Sequence, residues 1–357
     1  MPPIDRIIYE NALLDRFFST ANRTDEEPGF VAQLFELEAD RNEIILYLGP
    51  PEVRLVGIFP HQSEEAFFGF WETDNDLALN QQAFALLEAD ARQRNRKKLV
   101  GPLNFSTFHH YRLRLNEPSW GRFDKEPTNP MYYPALLSEL GFRVRSRFKS
   151  RLISTESIPI AYAQKEQLLA MLAHVPFEVI PLNPATWEQY EGEIAELVHQ
   201  VFKANPAYKP ISTAQFQLLY NRRFAEKLCP HTSVLFREKA SDNVRDGATG
   251  RLVALSFCLP NYQSLALSPG DAPNFIRDYP RLEKKVLLVK TVGVHPAFRQ
   301  QGLMSYLGAY GMLRFRELYD DVIFCLMRAD NFSLHFSDTL PHETAHYALF
   351  EKDLPEV

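Results

Sequence analysis

Apolar residues occur along the chain both in short continuous runs and at helical spacing, which predicts strands alternating with helices. Runs rich in β-branched and aromatic residues predict strands at 43–48, 53–59, 66–71, from 99, 142–153, 232–237, 251–259, 285–294, 321–327 and 344–351. Helical spacing predicts helices at 77–94, 161–174, 186–204 and 212–228, and a further helix that ends at Gly141. This alternation is typical of an α/β or α+β layer fold.

The 357 residues predict about two domains, given roughly 150 residues per domain. We expect the first domain at 1–158, a connecting helix at 159–176 and the second domain at 177–357. A repeated order of elements supports two related halves. In each half a helix, a strand and then Asn-Phe-Ser follow one another, at 104–106 and again at 331–333. The sequence therefore suggests a duplication.

Composition narrows the class of protein. Hydrophobic residues make up 45% and charged residues 24%, which is ordinary for a globular protein. The net charge of -6 disfavours nucleic acid as a partner. No apolar stretch reaches the roughly 18 residues of a membrane span, and the N-terminus lacks a signal-peptide pattern. The three cysteines lie far apart in sequence, which predicts a cytoplasmic protein. The sequence has no spacing typical of zinc ligands, so we expect no metal site.

The segment that carries candidate chemistry is VLLVKTVGVHPAFRQQGLMSY, residues 286–306. A predicted strand ends at His295-Pro296, and Arg299 and Gly302 lie in the turn before a helix. The first N–H groups of a helix have no internal partners and lie at the positive end of its dipole, where a phosphate binds. Glycine lets such a ligand approach the backbone. An ordinary strand–turn–helix connection is the alternative.

The same segment resembles motif A of the GNAT acyltransferase superfamily, in which Arg/Gln-x-x-Gly-x-Gly/Ala follows a strand that ends in V-x-P. The whole chain is similar to a bacterial group with two tandem GNAT-like halves. The residues that carry this wider likeness are Gly101-Pro102, Asn104-Phe105-Ser106, Tyr132-Tyr133, Leu140-Gly141-Phe142 and Leu259-Pro260-Asn261. The resemblance implies two tandem domains, each with a mixed, mostly antiparallel sheet flanked by helices.

The resemblance also implies a cosubstrate, acetyl-CoA or another acyl-CoA, and a small-molecule amine as acceptor in direct transfer. The residues implied to bind CoA are Val292 and Val294 along the pantetheine arm, Arg299, Gln300, Gln301, Gly302, Leu303 and Met304 around the pyrophosphate, and Asn331 near the sulfur. The first half has no R-x-x-G-x-G after its strand at 66–76. We therefore expect it not to bind CoA in this manner.

The motif departs from the superfamily at three positions. Met304 replaces a small residue and is expected to crowd the loop, Leu288 stands where some relatives carry a glutamate base, and Ser337 or Asp338 stands where a tyrosine acid is common. The candidate catalytic residues are Ser333, Asp338 and His342. A surface or turn histidine is the alternative for His342, whose ordinary pKa suits a base.

Two other functions stay open from the sequence. The departures from motif A also suit a non-catalytic, GNAT-like binding or scaffold protein. An acyltransferase of this kind can instead take its acyl group from an acyl carrier protein, an acidic partner. The sequence leaves the acceptor, the acyl length and the oligomeric state open.

Overall fold

The computed structural model describes residues 3–10, 14–20, 27–158, 165–205, 208–239, 250–267, 271–330, 334 and 337–355. The strands are β1 (Asp5–Ile8), β2 (Asn42–Gly49), β3 (Val53–Pro60), β4 (Glu65–Thr73), β5 (Lys98–Gly101), β6 (Leu113–Arg114), β7 (Arg143–Ser154), β8 (Phe177–Pro181), β9 (Val234–Glu238), β10 (Leu252–Pro260), β11 (Val286–Val294), β12 (Asp321–Arg328) and β13 (Glu343–Asp353). The α-helices are α1 (Leu14–Ser19), α2 (Pro28–Ala39), α3 (Leu77–Gln93), α4 (Tyr133–Glu139), α5 (Lys165–Ala173), α6 (Pro184–Phe202), α7 (Thr213–Leu219), α8 (Arg222–Lys227), α9 (Phe275–Asp278), α10 (Leu303–Met312) and α11 (Phe315–Leu318).

The chain divides into two compact units, which differ from the contiguous halves expected from the sequence. The first unit comprises Met1–Glu117, Lys125–Phe148 and His346–Val357, and the second comprises Pro118–Asp124 and Lys149–Ala345. Most of the C-terminal strand, from His346 onward, belongs to the first unit because β13 pairs antiparallel with β5 and β6 there. The first three residues of β13, 343–345, belong to the second unit. The helix expected as a connector is present as α5, which packs against α10 in the second unit.

Each unit contains a mixed, mostly antiparallel sheet flanked by helices, which confirms the predicted fold class. The strand order is β1-β2-β3-β4-β5-β13-β7 in the first unit and β7-β12-β11-β10-β9-β8 in the second. Strand β4 pairs in parallel with β5, and β11 pairs in parallel with β12. In each unit a helix connects the two parallel strands, α3 in the first and α10 in the second.

The core of the first unit forms where α3 covers the sheet. Ala83, Leu87 and Ala91, which the helical spacing places on one face, are fully buried. They belong to one apolar cluster with side chains such as Tyr47 of β2 and Phe68 of β4. Burial of this stripe stabilises the helix on the sheet, since each fully buried large apolar side chain contributes about 1.5–3 kcal/mol.

In the second unit the same relationship holds between α10 and β11. Leu303 and Leu307 are buried against Val294 of β11 and Phe298 of the turn between them. Two apolar residues one helical turn apart therefore hold the first turns of α10 against the strand that precedes it.

The structure departs from the sequence prediction in a few elements. The single helix predicted at 212–228 is wrong: α7 ends at Leu219, and α8 begins at Arg222 after the cap Asn221, whose side chain accepts from the N–H groups of Arg223 and Phe224. The sequence did not predict six elements, namely β1, α1, α2, β6, β8 and α9. No helix within the described ranges is long and apolar enough to span a bilayer.

Candidate functional site

The candidate site of the second unit is a fork between β11 and β12. The two strands pair in parallel from Val286–Asp321 to Val289–Phe324. Both strands are described in full, and no register pair joins them beyond that point, although β11 continues to Val294 and β12 to Arg328. A gap therefore opens along the second half of β11.

Backbone groups of β11 are available along this gap. The N–H of His295 donates to the carbonyl of Val253 at 2.8 Å, so His295 and Gly293 direct their backbone groups towards β10. Because these groups alternate along a strand, those of Val292 and Val294 are directed to the opposite edge. The two residues expected to pair with an extended ligand thus border the gap, in the geometry of an added strand.

The gap ends at the turn that leads into α10. Residues Pro296–Gln301 form a 3₁₀ turn, and Gly302 has a φ of +72° before the helix begins at Leu303. Among the described residues, no atom outside Gly302 and its two chain neighbours lies within 4 Å of the position that a Cβ at Gly302 would take. Gln300, Gln301 and Gly302 are exposed, while Leu303 is buried. The turn therefore presents the positive end of a core-anchored helix to open space.

Met304, which the sequence predicts to crowd this turn, has an exposed side chain in the structure, and the crowding stays a prediction. Its side chain is 46% exposed, and none of its atoms lies within 4 Å of the position that a Cβ at Gly302 would take. The position is compatible with a large residue because the side chain leaves the helix towards solvent.

Helix α6 supports the strand and the turn together. A Cβ on Gly293 would lie 2.4 Å from a Cγ of Val201, so α6 packs directly on the backbone of β11. The guanidinium of Arg299 donates to the Val201 carbonyl at 3.3 Å. Arg299, expected at the pyrophosphate, is an exposed side chain that also contacts the end of α6.

His295 caps the turn in its neutral form. Its Nδ1 accepts from the N–H of Ala297 at 3.2 Å. Partial burial, reinforced by the positive charge of Arg251, lowers the pKa of His295 below its ordinary value. The ring is therefore neutral near pH 7, which leaves Nδ1 free to act as the acceptor in this cap.

The predicted catalytic residues are not all described. Asn331 and Ser333 lie outside the described residues. Asp338 forms a 2.8 Å ion pair with the buried Arg151. Arg151 also donates to the Ser337 hydroxyl at 2.7 Å. Asp338 thus contributes to a clamp that fixes the chain after β12, and its catalytic role stays a prediction.

His342 is exposed, and its Nδ1 lies 2.7 Å from the carbonyl of Leu340. Since a carbonyl only accepts, this contact places the proton of the neutral ring on Nδ1 and leaves Nε2 as the basic atom. His342 therefore has a ring nitrogen that can accept a proton, and its role as a base stays a prediction.

Leu288, at the position of the superfamily's glutamate, is fully buried.

The equivalent fork of the first unit is filled by its own chain. Strands β4 and β5 pair from Glu65–Lys98 to Phe67–Val100. Beyond that point the N–H of Leu103 donates to the Phe68 carbonyl at 2.8 Å, and the N–H of Phe70 donates to Oδ1 of Asn104 at 2.7 Å. A ligand cannot pair with β4 here because the chain that follows β5 already does.

The helix that follows this fork is also closed to an anion. Asp76 caps α3, and its carboxylate accepts from the N–H of Leu79 at 3.0 Å. The negatively charged Asp76 thus stands at the N-cap position of α3, the position that Gly302 holds in α10. An aspartate just before a helical repeat is a recognised N-cap signal, so the sequence contained this information although our sequence analysis did not use it.

Lys290 is a further residue that the sequence analysis did not select. It interrupts the apolar strand β11, which is a visible signal in VLLVKTVGV. In the structure its Nζ donates to the carbonyl of Asp124 at 2.6 Å. The fork of the second unit therefore carries a lysine at its opening.

Comparison with known proteins supports this geometry at the level of fold. No family model matches the sequence, and no curated protein matches it. Among solved structures, a tandem GNAT protein from the clavulanic acid biosynthesis pathway aligns with a TM-score of 0.50 over 99% of both chains, at 11% identity. This chain has the tandem GNAT fold.

A second solved structure that aligns with nearly the whole chain is a protein of unknown function from Enterococcus faecalis, which is described as a probable N-acyltransferase. It aligns with a TM-score of 0.53 over 99% of this chain and 73% of the other, at 9% identity. The GNAT fold that motif A predicts is thus confirmed. The open fork and the uncapped helix both lie in the second unit.

Proposed function

We propose that the second unit is an N-acyltransferase that binds an acyl-CoA and transfers its acyl group directly to a small-molecule amine. The observation that carries this proposal is the open fork between β11 and β12, which leads to the unobstructed N-terminus of α10. The GNAT fold supports acyl transfer as the general class of activity. Acetyl-CoA or a longer acyl-CoA is the proposed cosubstrate.

The residues present fit a CoA thioester. The N–H groups of Gln300, Gln301, Gly302, Leu303 and Met304 are proposed to bind the pyrophosphate, beside the Arg299 side chain. Hydrogen bonds to charged groups of this kind contribute about 1.5–3 kcal/mol each. The backbone of Val292 and Val294 is proposed to pair with the pantetheine arm.

When bound, the acyl-CoA supplies an activated carbonyl. The chain's own contribution is to hold that carbonyl and the amine in contact, which alone lowers a barrier by several kcal/mol. The backbone N–H of Val292, which is directed to the gap, is proposed to stabilise the oxyanion; loss of one such donor typically costs about 2.7–4 kcal/mol. Nε2 of His342 is the proposed acceptor of the amine proton. As the amide bond forms, the C–S bond breaks and the CoA thiolate leaves, and Ser333 and Asp338 stay candidates for the group that supplies its proton.

The first unit is proposed to be structural. Its fork is occupied by Leu103 and Asn104, and Asp76 caps its helix α3. We therefore expect one CoA site per chain. A cytoplasmic location is proposed on the three free cysteines, all of which are buried thiols.

Calorimetric titration of CoA, acetyl-CoA and a long-chain acyl-CoA tests the proposal. We expect saturable binding at about one site per chain. The variant Gly302→Glu places bulk and negative charge at the start of α10 and should abolish binding. Gly308→Glu is the matched control, because Gly308 lies on the same helix, is exposed and has open space around it.

Equal binding by wild type and Gly302→Glu would show that the CoA assignment is wrong. Absence of binding at millimolar ligand would instead favour an acyl carrier protein as donor, or a non-catalytic GNAT-fold protein. Titration with an acylated carrier protein, followed by transfer to a panel of amines, separates those two outcomes.

A further inference from the structure

The segment Pro118–Asp124 belongs to the second unit although the residues on both sides of it belong to the first. Three contacts within the second unit hold it. The backbone N–H of Ser119 donates to the carboxylate of Glu343 at 2.6 Å, and the Ser119 hydroxyl donates to the same carboxylate. The amide of Asn261 donates to the Arg122 carbonyl at 3.1 Å.

The third contact comes from Lys290 at the opening of the fork. Opposite β10, Phe257 pairs with Thr291 and Cys258 pairs with Val289, so Lys290 is the extra residue of a β-bulge. It is also the first residue after the last pair with β12. A bulge at this point directs one side chain away from the regular ladder.

From the bulge, the Lys290 side chain contacts the last two residues of the segment. Its Nζ donates to the Asp124 carbonyl at 2.6 Å and lies 5.0 Å from the ring centroid of Phe123. Phe123 is 2% exposed. A cation over an aromatic face and a charge-assisted hydrogen bond together fix two consecutive residues of the segment.

The segment lies beside the opening of the fork. Lys290 directly follows the last β11–β12 pair, and its Nζ contacts both the Asp124 carbonyl and the Phe123 ring, so these two residues border the opening. If CoA reaches the fork from the N-terminus of α10, an acceptor that approaches the thioester at the opening passes Phe123 and Asp124.

We propose that Lys290 is a positioning residue and that residues 118–124, held by it, form a wall of the acceptor-amine site. This inference rests on the proposed acyltransferase function. Lys290 acts through Phe123 and Asp124. Its loss should therefore weaken the use of the amine and leave the binding of the cosubstrate unchanged.

The test compares Lys290→Met, which keeps the aliphatic stem, with Lys290→Arg, which restores a cation. Lys284→Met is the matched control, since Lys284 is an exposed lysine paired with Asp321 just before β11. Glu343→Gln is a second variant, which weakens the anchor at Ser119 without touching the bulge. Each protein is titrated with acetyl-CoA and assayed for transfer to spermidine, glucosamine and lysine.

We expect Lys290→Met to raise the KM for the amine that wild type acetylates fastest by at least tenfold, with the Kd for acetyl-CoA within twofold of wild type. Lys290→Arg should recover part of the loss, and Glu343→Gln should show a smaller rise in KM. An unchanged amine KM in Lys290→Met, or a Kd for acetyl-CoA that weakens as much as the KM, overturns the acceptor role.

Limited trypsin digestion tests the anchor independently of activity. The bond after Arg122 should be cut at least fivefold faster in Lys290→Met than in wild type and Lys284→Met. An equal rate shows that Lys290 does not hold the segment. A wild type that binds no acetyl-CoA and acetylates none of the amines overturns the proposed function and the acceptor role with it, while the digestion still decides the anchor.

Discussion

Asn104 accepts a hydrogen bond from the backbone N–H of Phe70 at 2.7 Å, across the gap that opens between β4 and β5. Phe70 has a φ of +47°, a left-handed conformation that is unfavourable for a residue with a large side chain. The hydrogen bond stabilises this strained residue and fills the position that a ligand would need. One buried amide thus distinguishes the closed fork of the first unit from the open fork of the second.

Substituting Asn104→Leu should destabilise the protein by about 1–3 kcal/mol, because the buried N–H of Phe70 loses its acceptor. Urea unfolding followed by circular dichroism measures the change. The exposed Gln81→Leu on α3 is the control and should leave the unfolding midpoint unchanged. The affinity for acetyl-CoA should equal that of wild type, and a marked loss of affinity would place the CoA site in the first unit.

Asp76→Ala should lower stability by about 0.5–2 kcal/mol, the usual effect of removing an N-cap. The same change at Asp40 is a suitable control, because Asp40 stands at the C-terminal end of α2, where a carboxylate is unfavourable. Thermal unfolding of the two variants compares them directly. Neither variant should gain a second CoA site, because Leu103 and Asn104 still occupy the fork; two sites per chain in Asp76→Ala would contradict this account.

Gly293→Ala should destabilise the second unit by about 1–3 kcal/mol through overpacking, since the new Cβ would lie 2.4 Å from Val201. Val201→Ala in the same chain should recover part of the loss, because it removes the atoms that collide. A double-mutant cycle in urea measures the coupling between the two positions. Additive effects would show that α6 and β11 adjust independently.

Burial raises the pKa of Cys258 from its ordinary value of 9.0 to about 12. The thiol should therefore be unreactive towards Ellman's reagent at pH 8 in the folded protein and react after unfolding in urea. Between pH 9 and 12 the unfolded chain ionises this thiol while the folded chain keeps it protonated, so stability should fall as pH rises.

The variant Cys258→Ala isolates this contribution. Its unfolding midpoint should fall less between about pH 8 and pH 10.5 than that of wild type, since the raised pKa is then absent. Equal falls in the two proteins, or rapid labelling of native Cys258 at pH 8, would contradict a buried, protonated thiol.

Local patterns in the sequence were sufficient for most strands and helices and for the turn that leads into α10. The spacing of Ala83, Leu87 and Ala91 reports which face of α3 is buried, and that information is contained within one helix. Likewise, Arg299 and Gly302 follow the end of a strand by only a few residues, and the turn they form depends on neighbouring residues in the sequence. Both predictions depend on residues fewer than about twenty positions apart.

The division into units and the difference between the two forks depend on contacts between distant residues. Phe350 of β13 pairs with Gly101 of β5, and Lys290 holds Asp124, yet neither partner has a local signal of the other. Such pairings are selected by the packing of the whole sheet, because many registers satisfy the same apolar pattern within one strand. The sequence therefore sufficed for the fold class and the turn before α10, whereas long-range pairing selected which fork is open and which segment lies beside it.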